Sequence, residues 1–238
     1  MFKLYNGLYG NPDHNATFSR VGSDSEVKFK NNLTNQPTDW LYRTKDVNYK
    51  RNSRGHRCVE TVNDGFIMFI GCSITEGIAL ALEDTYPYIV SNALNKEYYN
   101  LALNGFGPDM VSLNLSNWFK YVNVTPSLIV IQWPEVHRKF EINSLNEAVP
   151  IGPWGDRSDN TEYISKEMWK DYEKVITTSY MEHYFNVLRT TTLNYLESKG
   201  IEVYEIMPSN VVTIDYARDL AHPGIESHKL LASKILSR

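Results

Sequence analysis

The chain has 238 residues, which at roughly 150 residues per domain leaves room for one large domain or one domain with an extension. Its formal net charge is −4, so no basic surface for nucleic acid or anionic lipid is expected. The apolar runs at residues 66 to 70 and 128 to 131 are much shorter than the roughly 20 residues of a membrane-spanning helix. Composition therefore predicts a globular chain without a nucleic-acid partner and without a membrane span.

The first 62 residues are rich in Asn, Ser, Lys and Asp and show neither a helical nor a strand period. They contain too few apolar residues to bury a core of their own. Residues 40 to 43 and 54 to 60 are candidates for short strands around turns. We expect residues 1 to 62 to form an ordered extension packed on a main domain at residues 63 to 238.

From residue 65 onward, short apolar runs alternate with helical patterns, which is typical of βαβ units and of an α/β fold with a parallel sheet. The pattern predicts strands at residues 66 to 70, 98 to 103, 127 to 133 and 201 to 207, with a short fifth strand at 211 to 214. It predicts helices at residues 85 to 96, 108 to 121 and 165 to 198, and a terminal helix that includes 228 to 236. Thr85 is the expected N-cap of the first of these helices, and Gly200 is the expected C-cap of the third.

A serine follows the first predicted strand, in the stretch Gly71-Cys72-Ser73-Ile74-Thr75-Glu76-Gly77. A serine among small residues at a strand-to-helix turn can act as a nucleophile, because its hydroxyl projects from the sheet edge and its own N–H can face an oxyanion. The alternative is a serine that only caps the next helix. Both interpretations stay open on this stretch alone.

Two further stretches lie beside predicted strands or near the end of the chain. Asn104-Gly105-Phe106-Gly107 follows the second strand, and its glycines let the backbone donate N–H groups close to a ligand, although a plain turn has the same composition. Asp219 precedes His222 by three residues, a spacing that lets the carboxylate hold the imidazole through Nδ1 and leaves Nε2 as a general base. The alternative for that pair is a surface cap or a salt bridge.

Together these stretches resemble the first, second and fifth sequence blocks of the SGNH hydrolases, the GDSL-type esterases, over about residues 55 to 236. The resemblance implies a flavodoxin-like, three-layer α/β/α sandwich. It implies Ser73 as nucleophile, His222 as base, Asp219 as the residue that orients the base, and the N–H groups of Ser73 and Gly105 in the oxyanion hole. Residues 52 to 57 are similar to a hairpin segment that precedes the domain in bacterial and phage members.

The sequence departs from the family pattern at two places. Cys72 stands where many members have Asp, and we expect it to be a small buried residue. The third block, usually Gly-x-Asn-Asp with the Asn donating to the oxyanion, is replaced by a stretch without Asn at residues 132 to 138. The substitute donors that the sequence offers are Asn104, Gln132, Trp133 and Arg138.

The resemblance implies a serine esterase that cleaves a carboxylic ester through an acyl-serine intermediate, with removal of an acetyl group from a carbohydrate as the leading hypothesis. One alternative is a carbohydrate O-acyltransferase, in which a sugar hydroxyl replaces water. Another is a non-catalytic glycan-binding or virion-associated module of the same fold. Trp133 and Trp154 are the first candidates for glycan contact in that module.

No cofactor or metal is expected, because no pair of histidines has a recognisable metal-binding spacing. The expected partner is a small-molecule or glycan ester, and the sequence does not indicate an oligomeric state. The first seven residues lack the apolar stretch of a secretory signal, and two cysteines, Cys58 and Cys72, are typical of a reducing compartment. We therefore expect a cytoplasmic or virion-associated protein.

Overall fold

A computed structural model describes residues 1–152, 174 and 178–238. The predicted helix start at 165, and Trp154, lie outside the described residues. The strands are β1 (Lys3–Tyr5), β2 (Leu8–Gly10), β3 (Thr17–Phe18), β4 (Tyr49–Lys50), β5 (Ile67–Ile70), β6 (Tyr98–Asn100), β7 (Leu128–Gln132), β8 (Lys139–Ile142), β9 (Ala148–Ile151) and β10 (Glu202–Ile206). The helices are α1 (Glu26–Asn35), α2 (Ser73–Glu76), α3 (Tyr86–Leu94), α4 (Pro108–Tyr121), α5 (Thr178–Ser198) and α6 (Ile225–Leu236).

The central sheet has four parallel strands in the order β10, β7, β5, β6. Counted along the chain this is the order 4-3-1-2, which is the flavodoxin-like arrangement. In such a sheet, ligands bind outside the carboxyl ends of the strands, where the strand order reverses. Here that point lies between β5 and β7. The predicted α/β class is therefore confirmed.

Helices cover both faces of this sheet. Ile67 and Phe69 of β5 pack in one cluster with α3 and α6, whereas Met68 and Ile70 pack in another with α4 and α5. Because both faces are buried, every position of β5 is apolar, and alternation between apolar and polar residues is absent from it. Each fully buried aliphatic side chain contributes about 1.5–3 kcal/mol relative to exposure, so these strands supply much of the stability of the domain. No helix among the described residues is long and apolar enough to cross a membrane.

Several predicted boundaries are confirmed by local chemistry. Pro108 occupies the first turn of α4, where its missing N–H has no partner to lose. Gly200 follows α5 with φ +68°, the left-handed conformation of a helix C-cap. Thr85 is the N-cap residue of α3, but its hydroxyl donates to the carbonyl of Leu82 at 2.7 Å and does not cap the helix.

Three predicted strands are wrong. Residues 211 to 214 form no strand, because the N–H of Ile214 donates to the Ser227 hydroxyl of α6 at 2.9 Å and not to a sheet edge. Leu41–Arg43 is a single 3-10 turn, and residues 54 to 60 form a turn without a strand. In that turn the N–H of Asn52 donates to the carbonyl of His56 at 2.9 Å, which closes a tight hairpin without paired strands on either side.

The polar extension has regular structure that its sequence pattern did not show. Helix α1 begins after Ser25, whose hydroxyl accepts the N–H of Lys28 at 3.2 Å. Leu8 and Phe2 belong to the same apolar cluster as Met68 of the sheet. The extension therefore contributes side chains to the main core. The domain boundary at residue 62 stays a prediction.

Candidate active site

Ser73 begins helix α2 at the carboxyl end of β5, with Cys72 as its N-cap. Gly71 is needed at this turn, because a Cβ there would lie 2.4 Å from the Thr75 hydroxyl and 2.7 Å from the carbonyl oxygen of Gln132. The Ser73 side chain is mostly buried, and its hydroxyl lies 4.0 Å from the Cys72 sulfur. Cys72 is itself buried and donates to Gln132 Oε1 at 3.3 Å, as expected for a small filler of the core.

Asp219 and His222 form a closed turn. The imidazole Nδ1 lies 2.6 Å from Asp219 Oδ2, while Oδ1 accepts the N–H groups of Ala221 and His222 at 3.0 Å each. Asp219 is only 1% exposed, which excludes the interpretation of a surface cap. The carboxylate thus holds Nδ1–H and leaves Nε2 as the nitrogen that can accept a proton.

The negative charge of the Asp219 carboxylate is stabilised by its neighbours. Burial raises the pKa of this carboxyl, but the hydrogen bond and charge of His222, together with the Ser23 hydroxyl, lower it further than burial raises it. The resulting pKa lies well below the ordinary value. Asp219 is therefore an ionised acceptor at neutral pH, which is the state that orients an imidazole base.

Backbone bonds join the Asp219 turn to the end of the Ser73 helix. The N–H of Arg218 donates to the carbonyl of Ala79 at 3.1 Å, two residues after the helix cap Gly77. Arg57 is buried and donates to the carbonyls of Gly77 and Leu80 at 2.5 and 2.8 Å, which fixes the same segment from the other side. Within the described part of the chain, no hydrogen bond connects the Ser73 hydroxyl to His222.

The loop after β6 is fixed to the same helix. The N–H of Asn104 donates to Glu76 Oε2 at 2.6 Å, and the Asn100 side chain donates to the carbonyl of Thr75 at 2.7 Å. Gly105 adopts φ +86°, a conformation that a residue with a Cβ rarely adopts. Gly105 thus directly follows a residue that is bonded to the Ser73 helix, and its role as an oxyanion donor stays a prediction.

Glu76 was not identified from the sequence. It is fully buried and also accepts Arg51 Nη2 at 3.4 Å and Asn11 Nδ2 at 3.3 Å, both from the extension. The only sequence signal for Glu76 is that an acidic residue stands directly before a predicted turn glycine in the Ser73 stretch. Its contacts could not be predicted, because its three partners come from distant parts of the sequence.

The four substitute oxyanion donors differ in what they already bind. Trp133 Nε1 donates to Glu205 Oε2 at 2.8 Å, and Gln132 Nε2 donates to the carbonyl of Trp133 at 2.7 Å. Arg138 is paired with Glu135 at 2.7 Å. The Asn104 amide lies beside Gly22 of the extension, 2.8 Å from the position of a Cβ there. The assignment of a third donor stays a prediction, and Asn104 is the candidate on the loop that carries Gly105.

Two buried aromatic side chains, His228 and Trp133, have structural roles in this part of the chain. His228 is buried, accepts the N–H of Tyr86 at 3.0 Å, and has a pKa lowered by burial to about 3, so it is a structural acceptor and not a proton carrier. Trp133 is fully buried, which excludes it from a glycan-binding surface. Across residues 1–152, 174 and 178–238, no three metal-ligating side chains cluster together.

Comparisons with known proteins give structural matches only. No protein-family model and no curated protein matches the chain. A GDSL-family lipolytic protein from Veillonella parvula matches at 17% identity over 72% of this chain and 96% of that chain, with a TM-score of 0.35. An acetyl xylan esterase from Butyrivibrio proteoclasticus matches at 15% identity over 74% of this chain and 64% of that chain, with a TM-score of 0.39.

A family two carbohydrate esterase from Clostridium thermocellum matches at 17% identity over 75% of this chain and 64% of that chain, with a TM-score of 0.37. This chain therefore spans slightly less than two thirds of each of the two carbohydrate esterases. Of these three proteins, the one from Veillonella parvula is named as a GDSL-family protein. The roles of individual residues rest on the side chains of this chain.

Proposed function

We propose that the chain is a serine ester hydrolase of the SGNH type, with Ser73 as nucleophile, His222 as general base and Asp219 as the group that orients it. The observation that carries the proposal is the buried Asp219 carboxylate, 2.6 Å from His222 Nδ1, on a turn bonded to the segment that follows the Ser73 helix. A buried, ionised acceptor for Nδ1–H is what a serine-activating imidazole needs.

The proposed reaction starts when the Ser73 hydroxyl leaves the Cys72 sulfur and reaches His222 Nε2. In free enzymes such catalytic hydrogen bonds are often long and shorten only when substrate binds. The oxygen attacks the ester carbonyl while Nε2 takes its proton, and the resulting imidazolium then protonates the departing alcohol. Water, deprotonated by the same nitrogen, attacks the acyl-serine; as the acid leaves, the imidazolium returns that proton to the Ser73 oxygen and restores the hydroxyl.

The negative oxygen of the tetrahedral intermediate needs donors placed in advance. We assign the backbone N–H groups of Ser73 and Gly105 to this role, with the Asn104 side-chain amide as the third donor. Loss of one such donor typically slows catalysis on the order of 100- to 1000-fold, so a third donor decides whether turnover is fast. The hydrogen bond from the Asn104 N–H to Glu76 holds the loop against the helix that begins at Ser73.

For the substrate we propose an O-acetylated carbohydrate. A groove of about 490 Å³ is lined by Trp40, Tyr216, Asp215 and Asp84 among others, and two of these, Asp215 and Tyr216, precede the Asp219 turn in the chain. Partly exposed aromatic faces with neighbouring carboxylates suit sugar rings, which present apolar faces and hydroxyl donors. Transfer of the acyl group to a sugar would use the same residues, and an added glycan acceptor that yields a new ester would identify it.

The test is covalent labelling with a fluorophosphonate. This probe reacts with a serine activated by its base and leaves an oxygen in the oxyanion hole, so no knowledge of the substrate is needed. We expect one adduct per chain, on Ser73, and none in Ser73→Ala, while the exposed-serine control Ser209→Ala labels as the wild type does. A correctly folded wild type that stays unlabelled, while a known serine esterase reacts, would favour the glycan-binding module.

A further inference from the structure

Ser23, in the polar extension, contacts the catalytic pair. Its hydroxyl donates to Asp219 Oδ2 at 2.7 Å and lies 3.4 Å from His222 Nδ1, across 196 positions of the sequence. Oδ2 is the same oxygen that holds the imidazole. We propose that Ser23 is a positioning residue for the reaction, acting through Asp219 on His222; this inference rests on the proposed function.

Ser23 is not a loosely placed surface serine, because its neighbour Asp24 is fixed by buried contacts. Asp24 pairs with Arg218, the residue before Asp219, through Nε at 3.0 Å and Nη2 at 2.5 Å. Both side chains are at most 2% exposed. A buried ion pair of this kind fixes one backbone segment against another, so Ser23 and Asp219 are held at a set distance.

A tyrosine extends this connection to the nucleophile segment. Tyr49 donates its hydroxyl to Asp24 Oδ2 at 2.6 Å, and the Tyr49 hydroxyl oxygen accepts the N–H of Ala79 at 2.7 Å. Asp24, Arg218 and Ala79 are thus joined by one set of buried polar contacts. These contacts hold the turn that carries Ser23 in a fixed position relative to the Asp219 turn and to the segment that follows Ser73.

The chemistry of the contact explains its effect. A carboxylate oxygen has two acceptor positions, and at Asp219 Oδ2 these are taken by His222 Nδ1–H and by the Ser23 hydroxyl. With both positions filled, the carboxylate cannot rotate away from the imidazole without breaking a second, charge-assisted bond. Loss of the hydroxyl would leave the substrate-contacting groups unchanged and make the productive orientation of His222 less populated.

The experiment measures the rate of Ser73 phosphonylation in the full chain. For Ser23→Ala and for the nearly isosteric Ser23→Cys we expect the maximal labelling rate to fall roughly 10- to 150-fold, the loss typical of a hydrogen bond to a charged group, with unchanged apparent affinity for the probe. Ser23→Thr keeps the hydroxyl and should label within about twofold of the wild type. Ser19→Ala, an exposed serine in the same segment, is the matched control and should label as the wild type does.

The outcomes separate this inference from the proposed function. An unlabelled wild type contradicts the esterase itself. If the wild type is labelled and both Ser23→Ala and Ser23→Cys are labelled at the wild-type rate, the role of Ser23 is overturned and the esterase stands. Slow labelling that Ser23→Thr does not restore, or that accompanies weaker probe binding, also overturns it, because a positioning hydroxyl predicts rescue and a rate effect alone. If Ser23→Ala fails to fold, Ser23→Cys decides the question by the same criteria.

Discussion

The carboxylate of Glu76 accepts the backbone N–H of Asn104 at 2.6 Å, which joins the last residue of the Ser73 helix to the loop that carries Gly105. The other carboxylate oxygen faces Arg51 at 3.4 Å. One buried side chain therefore connects the helix of the proposed nucleophile, the loop of the proposed oxyanion donor and the extension. This connection has consequences for stability and for catalysis that can be measured separately.

Glu76→Gln should destabilise the fold. The change leaves the Arg51 guanidinium, of which 1% of the side chain is exposed, without its buried counter-charge. Breaking a buried ion pair by removing one partner costs about 3–5 kcal/mol, and urea unfolding measures this loss. Glu83→Gln, at an exposed glutamate nearby, should change the free energy of unfolding by less than about 0.5 kcal/mol. Equal stability of the two variants would show that Arg51 does not depend on Glu76.

Asp219→Asn should abolish most of the ester hydrolysis. The amide oxygen can still accept the N–H groups of Ala221 and His222, but the amide nitrogen then faces His222 Nδ1. An N–H donor at that place forces Nδ1 to accept, which moves the proton to Nε2 and removes the base. We expect turnover to fall on the order of 1000- to 10,000-fold, measured with a nitrophenyl acetate.

A readout of folding must accompany this measurement. The circular dichroism spectrum of Asp219→Asn should match that of the wild type, since the backbone bonds of the turn persist. Turnover within tenfold of the wild type in a folded variant would refute Asp219 as the group that orients the base.

Gly105→Ala should slow Ser73 labelling more than its effect on stability explains. Gly105 has φ +86° and Gly200 has φ +68°, so an added Cβ strains both positions by about 1 kcal/mol. A Cβ at Gly200 meets nothing within 4 Å, which makes Gly200→Ala a control with the same backbone penalty and no contact with the site. We expect similar losses of thermal stability in both variants and at least tenfold slower labelling in Gly105→Ala alone. Equal labelling rates would exclude the Gly105 N–H as an oxyanion donor.

The contribution of Asp109 to the free energy of unfolding should decrease as the pH rises from about 4 to 6. Burial raises its pKa to about 6, partly offset by the N–H groups of Met110 and Phe140. Because the pKa in the folded chain exceeds the value of about 4 in the unfolded chain, the folded chain holds the extra proton between these values. Its contribution is fully present below about pH 4 and is lost as the pH rises through about 6.

The corresponding measurement is the free energy of unfolding of Asp109→Asn and wild type from pH 4 to 7. The difference between them should move in favour of the variant by up to about 3 kcal/mol across this range. A constant difference across this range would mean that the Asp109 carboxyl titrates alike in both states.

The parts of the site that could be predicted from the sequence are local in the chain. Asp219 and His222 lie three residues apart and close their own turn, and Ser73 follows directly from the apolar run of β5. Ser23 could not be predicted, because its contact with Asp219 depends on the folded path of a polar segment without a period. Helix α1 was missed for a related reason: its residues are mostly polar and Asn32 is its one buried side chain.

The fold shows the same division between local and distant causes. The β5 and β7 strands were evident from continuous apolar runs, whereas β6 ends at Asn100, earlier than its apolar pattern suggested. Leu101 continues the apolar run, but its N–H makes the last bond to the carbonyl of Phe69 before the chain leaves the sheet. Where a strand stops depends on its neighbour, and the neighbour is not visible in a local window.

The ion pair between Asp24 and Arg218 joins residues 194 positions apart. Contacts of such sequence separation carry a large loop-closure cost and slow the folding of proteins in which they dominate. The turn that carries Asp219 and His222 and the segment that carries Asp24 are therefore expected to meet in the last stage of folding, after the central sheet has formed. Recovery of Ser73 labelling during refolding would then lag behind recovery of the circular dichroism signal, and catalytic competence would report on completion of the whole chain's fold.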